Sequence, residues 1–251
     1  MCRMMGVVSQ GPVYYDLFEE FADLATQGMC PIGAPDERGH KDGWGLACYQ
    51  NGELKIQMKD IGCASDASKY YGTAWKIAKL NIERAPGQSL VVLGHLRRAS
   101  DKSRVAQKWS HPFVEERDGA VWAFVHNGSL NKEFHDPDTI DSQILFHAIL
   151  DRLDGRDHED VGAAIRAMRE KALAEYGGFT GLNVMLTDGK ALHAYRDFQT
   201  NGQYYTLYQD HLGEMVITTS EPILAMKADP LPRGILHTVT PDLEIQKTDL
   251  G

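Results

Sequence analysis

Residues 1–9, MCRMMGVVS, put a cysteine directly behind the initiator methionine and then run straight into an apolar strand. A second residue as small as cysteine lets Met1 be removed, so the mature chain is expected to begin at Cys2. Cys2 would then carry a thiol and a free α-amine on one residue. A free thiol is only a few per cent ionised near neutral pH. An α-amine with a pKa of about 7.7–8.0 is a workable base there. One residue could thus supply both nucleophile and base, and the strand starting at Met4 would hold it. The alternative is a cysteine that merely follows a start codon.

The rest of the chain alternates helical and extended patterns. Residues 15–25 place Leu17, Phe18, Phe21, Leu24 and Ala25 at helical spacing. Residues 44–60 form two runs joined by Asn51-Gly52, a strong hairpin signal. Helices are expected over 65–85, 138–153 and 159–177, and strands over 89–97 and 120–128, the latter ending in a turn. Residues 30–43, dense in proline, glycine and charge, predict a loop. Residues 181–197 predict a hairpin turning at Asp188-Gly189, 204–209 and 214–220 two strands, and 234–250 a last hairpin near Pro241-Asp242. Antiparallel hairpins with three or four helices predict an α+β fold of layered sheets faced by helices.

Composition narrows the function. The 251 residues carry a net charge of -9, which argues against nucleic acid and against anionic membranes as partners. No run approaches the roughly 20 apolar residues of a membrane span, and the N-terminus lacks the pattern of a signal peptide. A cytoplasmic location is expected. The four cysteines at 2, 30, 48 and 63 show no CxxC spacing, so neither a zinc site nor a disulfide framework is expected. Cys30, Cys48 and Cys63 are expected to be buried small hydrophobes. His40, Asp42, His95, His111 and His126 lack the i, i+4 ligand pairing of a helical metal site, and no metal or other cofactor is expected.

Three further stretches carry candidate chemistry. In GHLRRAS (94–100), an arginine at a strand end suits bidentate capture of a carboxylate; the alternative is a solvated surface arginine. In VHNGSLN (125–131), Asn127 and Gly128 can aim an amide and a backbone N–H at one point, as an oxyanion hole does, or can form a plain turn. In DTIDSQ (138–143), Asp141 at a helix start could bind an ammonium, or could simply complement the helix dipole.

Taken in order, Cys2, Gly94-His95-Leu96-Arg97-Arg98-Ala99-Ser100, His111-Pro112, His126-Asn127-Gly128 and Asp141-Ser142 resemble the class II glutamine amidotransferases, which are N-terminal-nucleophile hydrolases. GHKDGWG (39–45) resembles that family's glycine-rich loop, and 191–197 and 218–222 extend the likeness weakly. The resemblance implies a four-layer αββα sandwich filling 2–251 as a single domain. It implies Cys2 as nucleophile, its α-amine as base, and Asn127 and Gly128 as the oxyanion hole. Arg97 would bind the α-carboxylate and Asp141 the α-ammonium of glutamine or a γ-glutamyl compound, with Arg98, Ser100 and His126 also lining the substrate. The product would be glutamate with ammonia or an amine, released by simple hydrolysis or delivered to a separate synthase subunit; a homo-oligomer is possible. A degenerate, ligand-binding relative is the non-enzymatic alternative. Two departures stand out: Arg98 where many members carry an aromatic, and Gln143 where glutamate is usual.

Overall fold

The computed structural model describes residues 2–31, 39–83, 87–132, 136, 138–153 and 159–251. The loop expected over 30–43 and the end of the helix expected over 65–85 lie partly outside the described residues.

In chain order the elements are β1 (Arg3–Ser9), α1 (Tyr15–Gln27), β2 (Gly43–Gln50), β3 (Glu53–Asp60), α2 (Ser68–Glu83), β4 (Leu90–Arg97), β5 (Phe113–Arg117), β6 (Ala120–Leu130), α3 (Asp141–Leu150), α4 (Glu159–Tyr176), β7 (Phe179–Thr187), β8 (Leu192–Tyr195), β9 (Tyr208–Leu212), β10 (Met215–Thr219), β11 (Ile235–Val239) and β12 (Ile245–Asp249). They build two six-stranded sheets, ordered β3-β2-β4-β1-β10-β9 and β12-β11-β8-β7-β6-β5. The pairings around β1 and β6 are antiparallel.

Alternation along each strand explains the layering, because successive side chains leave opposite faces. From β1, Met5 and Val7 join Leu17, Phe18 and Phe21 of α1 and Tyr70 of α2 in one core. Met4 and Val8 point the other way, to Ala123 and Val125 of β6 and Met185 of β7. On the far side of the second sheet, Phe124 packs with Phe146 of α3 and Ile165 and Met168 of α4. Three cores between four layers make an αββα sandwich. Because β1 is buried on both faces, its residues 4–8 read as an unbroken apolar run. The sheets approach so closely that a Cβ on Gly6 would lie 2.7 Å from Leu192 of the opposite sheet.

Three elements differ from expectation. β6 does not end in a turn at Asn127-Gly128 but continues to Leu130, with a register shift after Gly128. The strand expected over 204–209 starts only at Tyr208. β5 pairs with β6 through a turn in which Asp118 has φ 50° and Gly119 φ 79°. All four cysteines are free thiols, but only Cys48 fits the expected buried hydrophobe among the three set aside; Cys30 and Cys63 are half-buried. Trp44 is wholly buried, its ring edge-on to Tyr70. Among the described residues no helix is long and apolar enough to cross a membrane, and no group of three or more His, Cys, Asp or Glu could hold a metal ion.

Candidate active site

The candidate residues come from both sheets and meet where their central strands begin or end. Cys2 precedes β1, which lies between β4 and β10. Arg3 pairs with Leu96 on β4, so Arg97 leaves its strand beside Cys2. From the facing sheet, β6 brings Asn127. The Cys2 backbone nitrogen donates to Asn127 Oδ1 at 2.8 Å, across 125 residues of chain. A backbone N–H can only donate, which fixes the orientation of the amide. Asn127 Nδ2 therefore faces away from that bond, fully buried and without a partner. A buried amide N–H without an acceptor costs about 1–3 kcal/mol. A side chain held in that state suits an acceptor that arrives with the substrate.

Gly128 has φ 156°, and a Cβ there would lie 1.7 Å from the Gly181 carbonyl oxygen. Only glycine lets β6 and β7 close behind the site.

The Cys2 thiol, 7% exposed, donates to the Arg98 carbonyl at 3.9 Å. Burial opposes its ionisation, but the positive chain start, His95 and a hydrogen bond with the Arg98 backbone outweigh it, and the thiol is lowered to about 6. Cys48 shows what burial does unopposed, since its thiol is pushed up to about 12.

Arg97 is almost fully buried, and Nη1 donates to the Arg104 carbonyl at 2.9 Å. Arg104 Nη1 in turn donates to the Thr139 carbonyl at 2.7 Å, just before α3. This relay links the end of β4 to the helix start that carries Asp141. Asp141 is half-buried, and its Oδ1 accepts from the Ser142 N–H at 2.8 Å. Gln143 performs the work expected of a glutamate: its Oε1 accepts from the Ile140 N–H at 3.2 Å. That back-bond to the residue before the helix needs only an oxygen, so the substitution leaves the turn intact.

His126 Nδ1 lies 2.9 Å from Ser142 Oγ, which ties β6 to α3. Burial lowers this imidazole to about 4, against the nearby Asp141 charge. Arg98 is half-buried, with Nη1 3.1 Å from Cys30 Sγ and 3.4 Å from the Gly39 carbonyl. Ser100 is exposed. His95 and His111 are buried and stacked, with centroids 4.1 Å apart.

Several residues near the site carry no motif. Burial raises the Tyr205 phenol, opposed by its hydrogen bond to Thr180 and reinforced by the nearby charges of Cys2 and Asp141. The guanidinium of Arg3 sits 4.6 Å from the Tyr204 ring and pairs with Glu221 at 2.7 Å. Arg196 gathers three carbonyls, those of Tyr205 at 2.8 Å, Leu231 at 2.6 Å and Gly202 at 2.9 Å, which fixes the 202–205 segment. The signal for that segment is slight: Asn201-Gly202 followed by paired tyrosines where a strand would otherwise run.

Comparison with known proteins places the chain in a family. The sequence model of the family described as "Glutamine amidotransferases class-II" matches residues 1–219. The Escherichia coli protein YafJ, which carries a glutamine amidotransferase name, is 28% identical over 78% of this chain and 72% of its own. An uncharacterized protein of Methanocaldococcus jannaschii is 25% identical over 67% of this chain, which spans only 46% of that relative. The glutamine phosphoribosylpyrophosphate amidotransferase of B. subtilis shares the fold at TM-score 0.66 and 12% identity, covering 99% of this chain and 49% of that one. A class-II domain protein of Silicibacter pomeroyi does so at TM-score 0.60 and 18% identity, over 98% of each chain. The chain belongs to the class II glutamine amidotransferases.

Proposed function

We propose that this protein hydrolyses the side-chain amide of glutamine or of a γ-glutamyl compound, with Cys2 as nucleophile and residues 2–251 acting as one domain. The observation that carries the reading is the 2.8 Å bond from the Cys2 nitrogen to Asn127 Oδ1, with the other end of that amide buried and unpartnered. Once Met1 is removed, the nitrogen is an amine. It takes the thiol proton, and the thiolate attacks the amide carbon. The developing oxyanion is received by Asn127 Nδ2 and the Gly128 N–H. The amine then protonates the departing nitrogen, leaving a γ-glutamyl thioester on Cys2. Water cleaves that thioester and releases glutamate and the thiol. Arg97 grips the α-carboxylate and Asp141 the α-ammonium, while Arg98, Ser100 and His126 border the substrate.

Hydrolysis to free ammonia or amine is favoured over transfer. The second reading, ammonia delivery to a separate synthase, draws on the B. subtilis amidotransferase, whose chain is about twice as long as this one's match to it. The test combines intact mass with turnover. The processed chain, lacking Met1, should hydrolyse glutamine or a γ-glutamyl amide, and Cys2→Ala should abolish it. Retention of more than about a tenth of the rate in Cys2→Ala would defeat the assignment.

A further inference from the structure

We infer that Asn183 is a specificity-determining residue that accepts a hydrogen bond from the nitrogen of the scissile bond, so that the substrate is a primary or secondary amide of a γ-glutamyl group. This rests on the reading of Cys2 as nucleophile. Asn183 lies on β7 directly opposite Asn127 of β6. Residues opposed in this way share a face of the sheet, with Cβ atoms about 4.5–5.5 Å apart. That face is turned to the other sheet, because Val125 and Met185, two residues away on the same strands, pack in the core between the sheets. Both asparagines are fully buried. Asn183 Nδ2 donates to the Thr206 carbonyl at 3.2 Å, and a carbonyl can only accept, so Oδ1 is the end left over. Among the described residues that oxygen has no hydrogen-bond partner, as Asn127 Nδ2 has none.

The two free ends are complementary in kind and are fixed from different sides. The Cys2 nitrogen holds the Asn127 oxygen, which leaves a donor. The Thr206 carbonyl holds the Asn183 nitrogen, which leaves an acceptor. Thr206 is itself anchored to the strand that carries the nucleophile. Its Oγ1 donates to the Ser220 carbonyl at 2.9 Å, and Ser220 Oγ accepts from the Met4 N–H at 2.8 Å, two residues beyond Cys2. The free donor and the free acceptor do not bond each other. A carboxamide meets both, since its oxygen accepts and its nitrogen donates. When Cys2 attacks, Asn127 Nδ2 receives the carbonyl oxygen while Asn183 Oδ1 holds an N–H of the amide nitrogen. An ester or a tertiary amide offers no such N–H, and the carboxylate of released glutamate sets oxygen against oxygen. The pair therefore tells an amide from its oxygen analogues, because the wrong group leaves a buried acceptor unpaired.

The test sets an amide against its ester. With the processed full chain and its Asn183→Leu variant, kcat/KM is measured for glutamine and for γ-glutamyl methyl ester. Leucine keeps the bulk of the side chain and removes both polar ends. The variant should lose about 10–100-fold on glutamine and change by less than about threefold on the ester, which has no N–H for the acceptor. Damage to the fold would depress both substrates alike. Such a parallel loss, or an unchanged ratio of the two, would overturn the proposal and leave Asn183 Oδ1 to a bound water. If the variant fails to fold, calorimetric binding to the Cys2→Ala chain decides instead. Glutamine should bind at least about tenfold more tightly than the methyl ester, and equal affinities would overturn the contact. The two readings fail differently. Turnover of neither compound by the processed wild type sinks the amidase reading and the contact with it, whereas turnover of both with an unaltered ratio in the variant sinks the contact alone.

Discussion

Asn127 does two things with one amide, and each is open to substitution. Its oxygen anchors the Cys2 nitrogen, and its nitrogen waits without a partner. If Asn127 Nδ2 receives the oxyanion as proposed, Asn127→Ala should lower kcat for glutamine hydrolysis by about 10²–10³ while moving KM little. A large rise in KM at unchanged kcat would place the side chain in ground-state binding instead. The neighbouring Gly128→Ala fails for a different reason. Its Cβ would meet the Gly181 oxygen at 1.7 Å, and backbone on a paired strand cannot move aside cheaply. Urea unfolding should show a loss of about 3 kcal/mol or more, together with lost activity.

At the scale of elements, the start of α3 depends on Gln143 reaching back to the Ile140 N–H. Gln143→Ala should cost about 1 kcal/mol in thermal or denaturant unfolding, while Gln143→Glu should stay within about 0.5 kcal/mol of the parent. A Glu variant as weak as the Ala variant would show that the back-bond is not what holds the turn. Local signals of this kind are the legible part of the sequence. Asn51-Gly52 predicts the β2–β3 hairpin, and both residues have positive φ. Asp118-Gly119 carries the same signal and closes the β5–β6 hairpin, yet with so short a run before it the alternation in β5 is hard to separate from loop. Asn127-Gly128 shows the limit of the dipeptide rule. Pairing with β7, Asn127 opposite Asn183 and Gly128 opposite Leu182, carries the strand through it, and no local propensity encodes that partner. The 204–207 stretch is strand-like in composition but is drawn into a loop by the three-carbonyl grip of Arg196. Cys2, Arg97, Asn127 and Asp141 can be picked out by motif. The position of Tyr205 depends on contacts between distant segments, so it emerges only from the fold. Arg98 is part of that lesson, since its Nη1 is engaged by Cys30 and Gly39.

At the scale of the whole molecule, a four-layer sandwich buries polar groups between and beneath its sheets, and those groups set its response to acid. Asp197, wholly buried, is held by Arg169 at 2.7 Å and Arg233 at 2.5 Å, joining α4 to the chain beyond β8 and to the segment before β11. The buried imidazoles act oppositely to such a pair, because the fold resists charging them. Burial lowers His126 from its ordinary value near 6.5 to about 4, although Asp141 pulls the other way. It lowers His237 to about 4 as well, and holds His111 well below the usual imidazole range. Between about pH 6.5 and 4 the unfolded chain takes up protons that the folded chain refuses. Stability therefore rises with pH through that window and falls as acid is added, by about 3 kcal/mol for His126 alone. Carboxyls held low by hydrogen bonds, such as Asp60 with Lys69, lose their contribution only below the ordinary carboxylate value of about 4, so the two effects separate along the pH axis. His126→Asn keeps a polar partner for Ser142 but cannot be protonated. Urea unfolding of wild type and this variant at steps from about pH 7 to about pH 4 should show the variant's stability falling less steeply, by about one proton's worth of slope. Parallel curves would mean that His126 is not a proton the fold excludes.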